Sequence, residues 1–229
     1  MTIEAVIFDW GGTLTPWHTL EPREAWIAAV ADADLADRLW QAEVEIWRRS
    51  RDEHRSGTVA EVFDTVGVTA TDVMLASLRE WWEPHTFLDP DVPALFAGLH
   101  ERGIRVGVLS NTLWTREEHE RIFRRDGVLD AIDGAVYSSE IPWSKPHAEA
   151  FRAALDAVAV VDPSRAVFVG DRPFDDIHGA KSVGMHAVLV PHSEIPDVQK
   201  GPVEGEADAV VQRLGDVLAV VDALHRPRD

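Results

Sequence analysis

The chain has 229 residues, of which 45% are hydrophobic, so it is long and apolar enough to bury a real core in one medium domain with an insertion. It has no cysteine, which excludes disulfides, thiolate catalysis and Cys-ligated zinc. Its 22 Lys and Arg stand against 40 Asp and Glu, a net charge of −18 that repels nucleic acid and anionic membranes. No apolar run approaches the roughly 18–20 residues needed to span a bilayer, and Met1-Thr2-Ile3-Glu4 lacks the basic and apolar regions of a secretory signal. The expectation is a cytoplasmic protein, a monomer or homodimer, with neither a membrane nor a nucleic-acid partner.

Taken in chain order, Ala5–Phe8 is a short β-branched and aromatic run stopped by Asp9 and the Gly11-Gly12 pair, the pattern of a buried strand ending in a turn. From about Thr15 to Pro90 no strand pattern occurs. Helical periodicity covers Arg23–Ala31, Leu35–Arg51, Val59–Val66 and Thr71–Trp82, which predicts an inserted helical bundle. Six of the nine tryptophans (Trp17, Trp26, Trp40, Trp47, Trp81, Trp82) lie in it, either filling its core or facing a substrate. A helix over Val92–Arg102 then precedes a strand at Ile104–Leu109, followed by Ser110-Asn111-Thr112. Thr115-Arg116-Glu117-Glu118 is a capping box opening a helix over Arg116–Arg125. Further strands are expected at Ala135–Tyr137, Ala166–Val169 and Ala187–Val190, with helices over Pro146–Val158 and Asp176–Val183, the former starting at Pro146. Strands alternating with helices predict an α/β fold, a Rossmann-like doubly wound parallel sheet. The expected domains are a core of residues 1–15 and 90–229 and a helical cap of residues 16–89.

In such sheets ligands bind outside the carboxyl ends of the strands. Asp9, Ser110 and Asp171 each stand at or just past a strand end, and Asp175 and Asp176 follow Asp171 closely. If the sheet gathers these carboxylates, their like charge demands a hard, oxygen-coordinated cation, with Mg²⁺ the natural one. Lysine occurs only at positions 145, 181 and 200. Lys145, ahead of a helix, supplies a charge that could hold Asp9 ionised and neutralise a phosphate oxygen, while Ser110 and Asn111 offer a hydroxyl and an amide. These are the parts of phosphoryl transfer.

Phe8-Asp9-Trp10-Gly11-Gly12-Thr13-Leu14, Leu109-Ser110-Asn111-Thr112, Lys145-Pro146 and Gly170-Asp171 through Asp176-Ile177 to Gly179-Ala180 resemble the four ordered motifs of the haloacid dehalogenase (HAD) superfamily, across nearly the whole chain. The resemblance implies a Rossmann-like core with a helical C1 cap inserted after the first motif, and a Mg²⁺-dependent phosphatase acting on a small phosphorylated metabolite through an aspartyl-phosphate. It makes Asp9 the nucleophile, Ser110 a phosphate donor and Lys145 the charge stabiliser. The implied metal ligands are Asp9, Asp171, Asp176 and the Gly11 carbonyl, with Asp175 a weaker candidate. Asn111, Gly12, Thr13, Trp17 and His18 are the candidate substrate contacts.

One position departs from the pattern. Phosphatases of this superfamily usually carry a second Asp where Gly11 stands, a general acid and base whose loss typically removes about 10²–10⁴-fold in rate. His18, and more weakly Glu21, are the nearest titratable substitutes. Arg172 either touches substrate or balances the aspartates. The alternatives are a weak or silent phosphate- and metal-binding protein, supported by Gly11, and a 2-haloacid dehalogenase, which should not need the acidic 171–176 segment. A phosphonate-cleaving enzyme would need a cap lysine, and residues 1–144 contain none.

Overall fold

In the computed structural model, which describes residues 2–16, 18, 20–191 and 206–225, the β-branched runs form one parallel sheet. Its strands are β1 (Ala5–Phe8), β2 (Arg105–Ser110), β3 (Gly134–Tyr137), β4 (Ala166–Gly170), β5 (His186–Leu189) and β6 (Ala209–Val210), in the order β3-β2-β1-β4-β5-β6. The first five match the expected runs to within a residue or so. β6 was not anticipated, because two residues carry no readable periodicity.

The central strands are largely apolar because both of their faces are covered. Alternate residues divide between two cores. Val6, Phe8, Val106, Val108, Val167 and Val169 pack on one side against Leu95, Phe96 and Leu99 of α5 (Val92–Glu101) and Val217 and Val221 of a C-terminal helix, Val217–His225. Ala5, Ile7, Leu109, Ala166 and Phe168 pack on the other side against Phe151, Ala154 and Leu155 of α7 (Ala148–Ala157). α7 begins later than expected. Pro146 stays outside it, and His147 is the N-cap, its ring accepting from the Glu149 amide. A π-helical turn, Pro173–His178, leads into the short α8 (Gly179–Ser182) where one regular helix was expected. The C-terminal helix is accordingly α9.

Between β1 and α5 lie four helices, α1 (Pro22–Val30), α2 (Ala33–Glu53), α3 (Val59–Val66) and α4 (Asp72–Trp82). Asp32, Thr58 and Thr71 cap the last three by accepting the amides of Leu35, Glu61 and Met74 at 2.9, 3.1 and 3.2 Å. The helices share their own core of Trp26, Leu39, Ile46, Val62, Phe63 and Leu78, with Trp40, Trp47, Trp81 and Trp82 packed on it. Glu43 accepts from the indoles of Trp26 and Trp47 at 2.6 and 3.1 Å. These tryptophans therefore fill and brace the bundle. The chain enters and leaves this bundle side by side, with Asp89 N–H donating to Leu14 O at 2.8 Å.

A second attachment runs along the far end of α2. Ser50 Oγ donates to Ser144 Oγ at 2.8 Å with both residues buried, and the Ser144 amide donates to His54 O at 3.0 Å. The Ser56 amide reaches Pro142 O at 3.2 Å, its hydroxyl reaches Ile141 O, and the Val59 amide reaches Leu113 O at 3.0 Å. The bundle is thus stitched to the core loops beyond β2 and β3.

Candidate active site

β1 lies between β2 and β4, where successive connections leave in opposite directions, so a crevice opens beyond its carboxyl end. Asp9 is the first residue past β1, and its amide donates to Val169 O at 2.9 Å, which locks it beside the end of β4. Asp171 follows β4 directly. Asp176 comes from the π-helical turn and folds back under Gly170, where a Cβ would stand 2.3 Å from Asp176 Oδ2. Only glycine leaves room for that carboxylate. Asp9, Asp171 and Asp176 are all buried, and one carboxylate oxygen from each lies within 4.8 Å of the others.

Lys145, 2% exposed, reaches this group from the loop ahead of α7. Its Nζ donates to Asp9 Oδ1 and Asp176 Oδ1, both at 2.6 Å. The other oxygen of Asp176 accepts the Arg172 amide at 2.9 Å, and Thr13 Oγ1 donates to Asp171 Oδ1 at 3.2 Å. Asp175 meets the Arg172 guanidinium at 3.4 Å. Asn111 spends both ends of its amide on Lys145, donating to its carbonyl at 3.0 Å and accepting from its N–H at 2.8 Å. It anchors the lysine, whereas the sequence suggested that it faces the substrate.

Charge dominates the chemistry here. Four buried or nearly buried carboxylates share two cations, Lys145 and Arg172. Burial pushes the pKa of Asp9 up against the pull of Lys145, and raises Asp176 in the same way. Burial carries Asp175 to about 6 in spite of Arg172. For Lys145 burial works against the charge, but Asp176 and Asp9 outweigh it and hold the ammonium protonated more firmly than usual. The unbalanced negative charge and the hard oxygen donors fit a divalent cation.

Residues 3–184 match the sequence model of haloacid dehalogenase-like hydrolases. The chain belongs to this family. Among its relatives are glyceraldehyde 3-phosphate phosphatases of Methanothermobacter thermautotrophicus, 34% identical over 60% of this chain, and of Methanopyrus kandleri, 28% identical over 98% of it. The chain spans 55% of the length of the first and 99% of the second. Its fold is similar to that of a HAD phosphatase from Thermococcus onnurineus, with a TM-score of 0.70, 23% identity and coverage of 96% of this chain and 98% of that one. 2-Haloacid dehalogenases share the same fold.

The HAD motifs thus converge as the resemblance implied, with Asp9, Lys145, Asp171 and Asp176 in one cluster and Ser110 closing β2. Gly12 adopts φ +87°, a left-handed conformation that suits glycine. A Cβ built on Gly11 would meet nothing within 4 Å, so its missing side chain leaves open space in the first motif. Trp17 lies outside the described residues. His18 is exposed, its ring 5.1 Å from that of His85 and so engaged with the bundle.

Two residues near the site escaped sequence reasoning. His54 is treated below. His119 of α6 (Arg116–Arg125) is 1% exposed, and its ring meets that of Trp10, next to Asp9, edge-on at 4.7 Å. It also stacks on Tyr137 at 4.5 Å and places Nε2 3.0 Å from Thr112 Oγ1. The amphipathic pattern of α6 marks His119 as inward-facing but says nothing about what it meets. Burial lowers its pKa to about 3. The unfolded chain takes up this proton near pH 6.5 and the folded one does not. The stability that His119 lends is therefore complete above about pH 6.5 and declines as pH falls toward about 3, by about 1.4 kcal/mol per pH unit. In urea titrations at pH 6 and pH 4, His119→Gln is expected to lose less stability than wild type. Equal losses would place a charged imidazole in the fold.

Proposed function

We propose that this HAD-family chain is a Mg²⁺-dependent phosphatase that cleaves a small phosphorylated metabolite through an aspartyl-phosphate on Asp9. The observation that supports it most is the pairing of a nucleophile with its counter-charge. Asp9 stands past β1 with Lys145 Nζ at 2.6 Å, inside a carboxylate cluster spaced for a metal. Asp9, Asp171, Asp176 and the Gly11 carbonyl would hold Mg²⁺, which when bound supplies charge neutralisation for the phosphate oxygens.

The chain's own groups do the rest. The Asp9 carboxylate attacks phosphorus, and Lys145 keeps it ionised and draws charge from the equatorial oxygens. Ser110 donates its hydroxyl to one of them. Thr13 and the Arg172 amide orient Asp171 and Asp176, and Asn111 fixes the lysine backbone. The names of the relatives favour a phosphorylated triose or similar sugar as substrate.

The test is phosphate release from p-nitrophenyl phosphate and glyceraldehyde 3-phosphate, with Mg²⁺ or with EDTA. Release that needs Mg²⁺ is expected. Release unchanged by EDTA would overturn the metal role, and EDTA-resistant chloride release from 2-chloropropionate would make the chain a dehalogenase.

A further inference from the structure

The phosphatase reading leaves one step without an actor, because breaking the bond to an alkoxide leaving group calls for a proton and Gly11 has none to give. We propose that His54, delivered by the helical bundle, donates that proton and then takes one from the attacking water. The inference rests on the reading above.

The groups already at the cluster are committed elsewhere. Lys145 is held between Asp9 and Asp176, and Arg172 stays charged at any working pH. Asp175 faces Arg172. His54 comes from outside the cluster and sits between two of its segments. It ends α2 with φ +56°, a left-handed turn closed by its own amide on Ser50 O at 3.0 Å. Its carbonyl accepts from Ser144, the neighbour of Lys145, at 3.0 Å. Its ring centroid lies 6.1 Å from that of Phe174, which stands in the turn between Asp171 and Asp176. The backbone is thus pinned on the Lys145 side while the imidazole leans toward the acidic turn. The ring is half-buried, and its Nδ1 is closed off without a hydrogen-bond partner, leaving Nε2 as the nitrogen able to exchange a proton. In the first motif, Gly11 leaves space empty of side chain.

The step balances. Asp9 forms the bond to phosphorus as the bond from phosphorus to the leaving oxygen breaks, and the proton on Nε2 passes to that oxygen, giving the alcohol and a neutral imidazole. Water then attacks the aspartyl-phosphate and gives its proton to Nε2, which releases phosphate and restores both the carboxylate and the imidazolium.

The experiment compares two leaving groups. p-Nitrophenolate departs with little protonation, whereas the alkoxide of glyceraldehyde 3-phosphate needs it. In His54→Asn, a residue that tolerates the left-handed backbone, kcat/KM on the alkyl phosphate is expected to fall by about 10²–10⁴-fold. On p-nitrophenyl phosphate it should fall by less than about tenfold. The ratio of the two values does not depend on the folded fraction, so a damaged fold cannot imitate the result. Introducing Gly11→Asp into His54→Asn should then recover turnover of the alkyl phosphate. Equal losses on both substrates, or none, would overturn the role of His54 while leaving Asp9-dependent turnover intact. A wild type that releases phosphate from neither substrate in Mg²⁺ would overturn both.

Discussion

Lys145→Met is expected to destabilise the fold by about 3–5 kcal/mol, the usual cost of removing one partner from a buried ion pair. The lysine is 2% exposed, and its ammonium is the hydrogen-bonded counter-charge of both Asp9 and Asp176. Methionine keeps most of the apolar stem, so the loss falls on charge and not on volume. This is a large part of the about 5–15 kcal/mol that holds a typical domain together. Turnover should fall by on the order of 10²–10³-fold, since a fixed charge on the developing phosphate oxygens is lost. Urea unfolding with and without Mg²⁺ checks the first effect. The ion should restore more stability to Lys145→Met than it adds to wild type, because it replaces the missing positive charge. A variant that unfolds like wild type in the absence of metal would show that the carboxylates need no ammonium.

Asp9→Asn should do the opposite to stability while abolishing function. Burial raises the pKa of Asp9, which means its charge is carried at a cost in the folded state. Asparagine removes one negative charge from an overcrowded group, and its amide oxygen can still accept from Lys145 Nζ. Stability should therefore hold or rise, Mg²⁺ should bind more weakly, and turnover should drop by on the order of 10⁴-fold or more, as when other enzymes lose a nucleophile. Phosphate release and urea unfolding on the same preparation separate these outcomes. An active Asp9→Asn would remove Asp9 from the chemistry.

Much of this site was legible because its residues sit at strand ends. Asp9 and Asp171 follow apolar β-branched runs, and parallel pairing of those runs is enough to bring the two carboxylates together. Lys145 stood out because lysine is so scarce. Harder to see were the relations that depend on the path of loops. Asn111 carries an amide suited to a phosphate, yet its partner is the backbone of a residue 34 positions away. Pro146 is a good first residue for a helix, but the loop that presents Lys145 delays α7 to Ala148. His54 lies at the end of a regular amphipathic helix, and nothing in its periodicity reports contact with Ser144, ninety positions later. His18 is the nearest titratable group after Asp9 in sequence, but the sequence does not report that its exposed ring meets that of His85.

The stitching of α2 to the core has a geometrical meaning. A bundle joined to its base only by two adjacent strands of chain is a door on one hinge, free to turn without breaking anything. Three separate regions of bonding, at residues 50–54, 56 and 59, lie away from that hinge and make the arrangement a braced frame. Rotation must first break those bonds, each worth about 0.5–1.5 kcal/mol. The brace ends on Ser144, so the strut that resists opening is also the mount of Lys145.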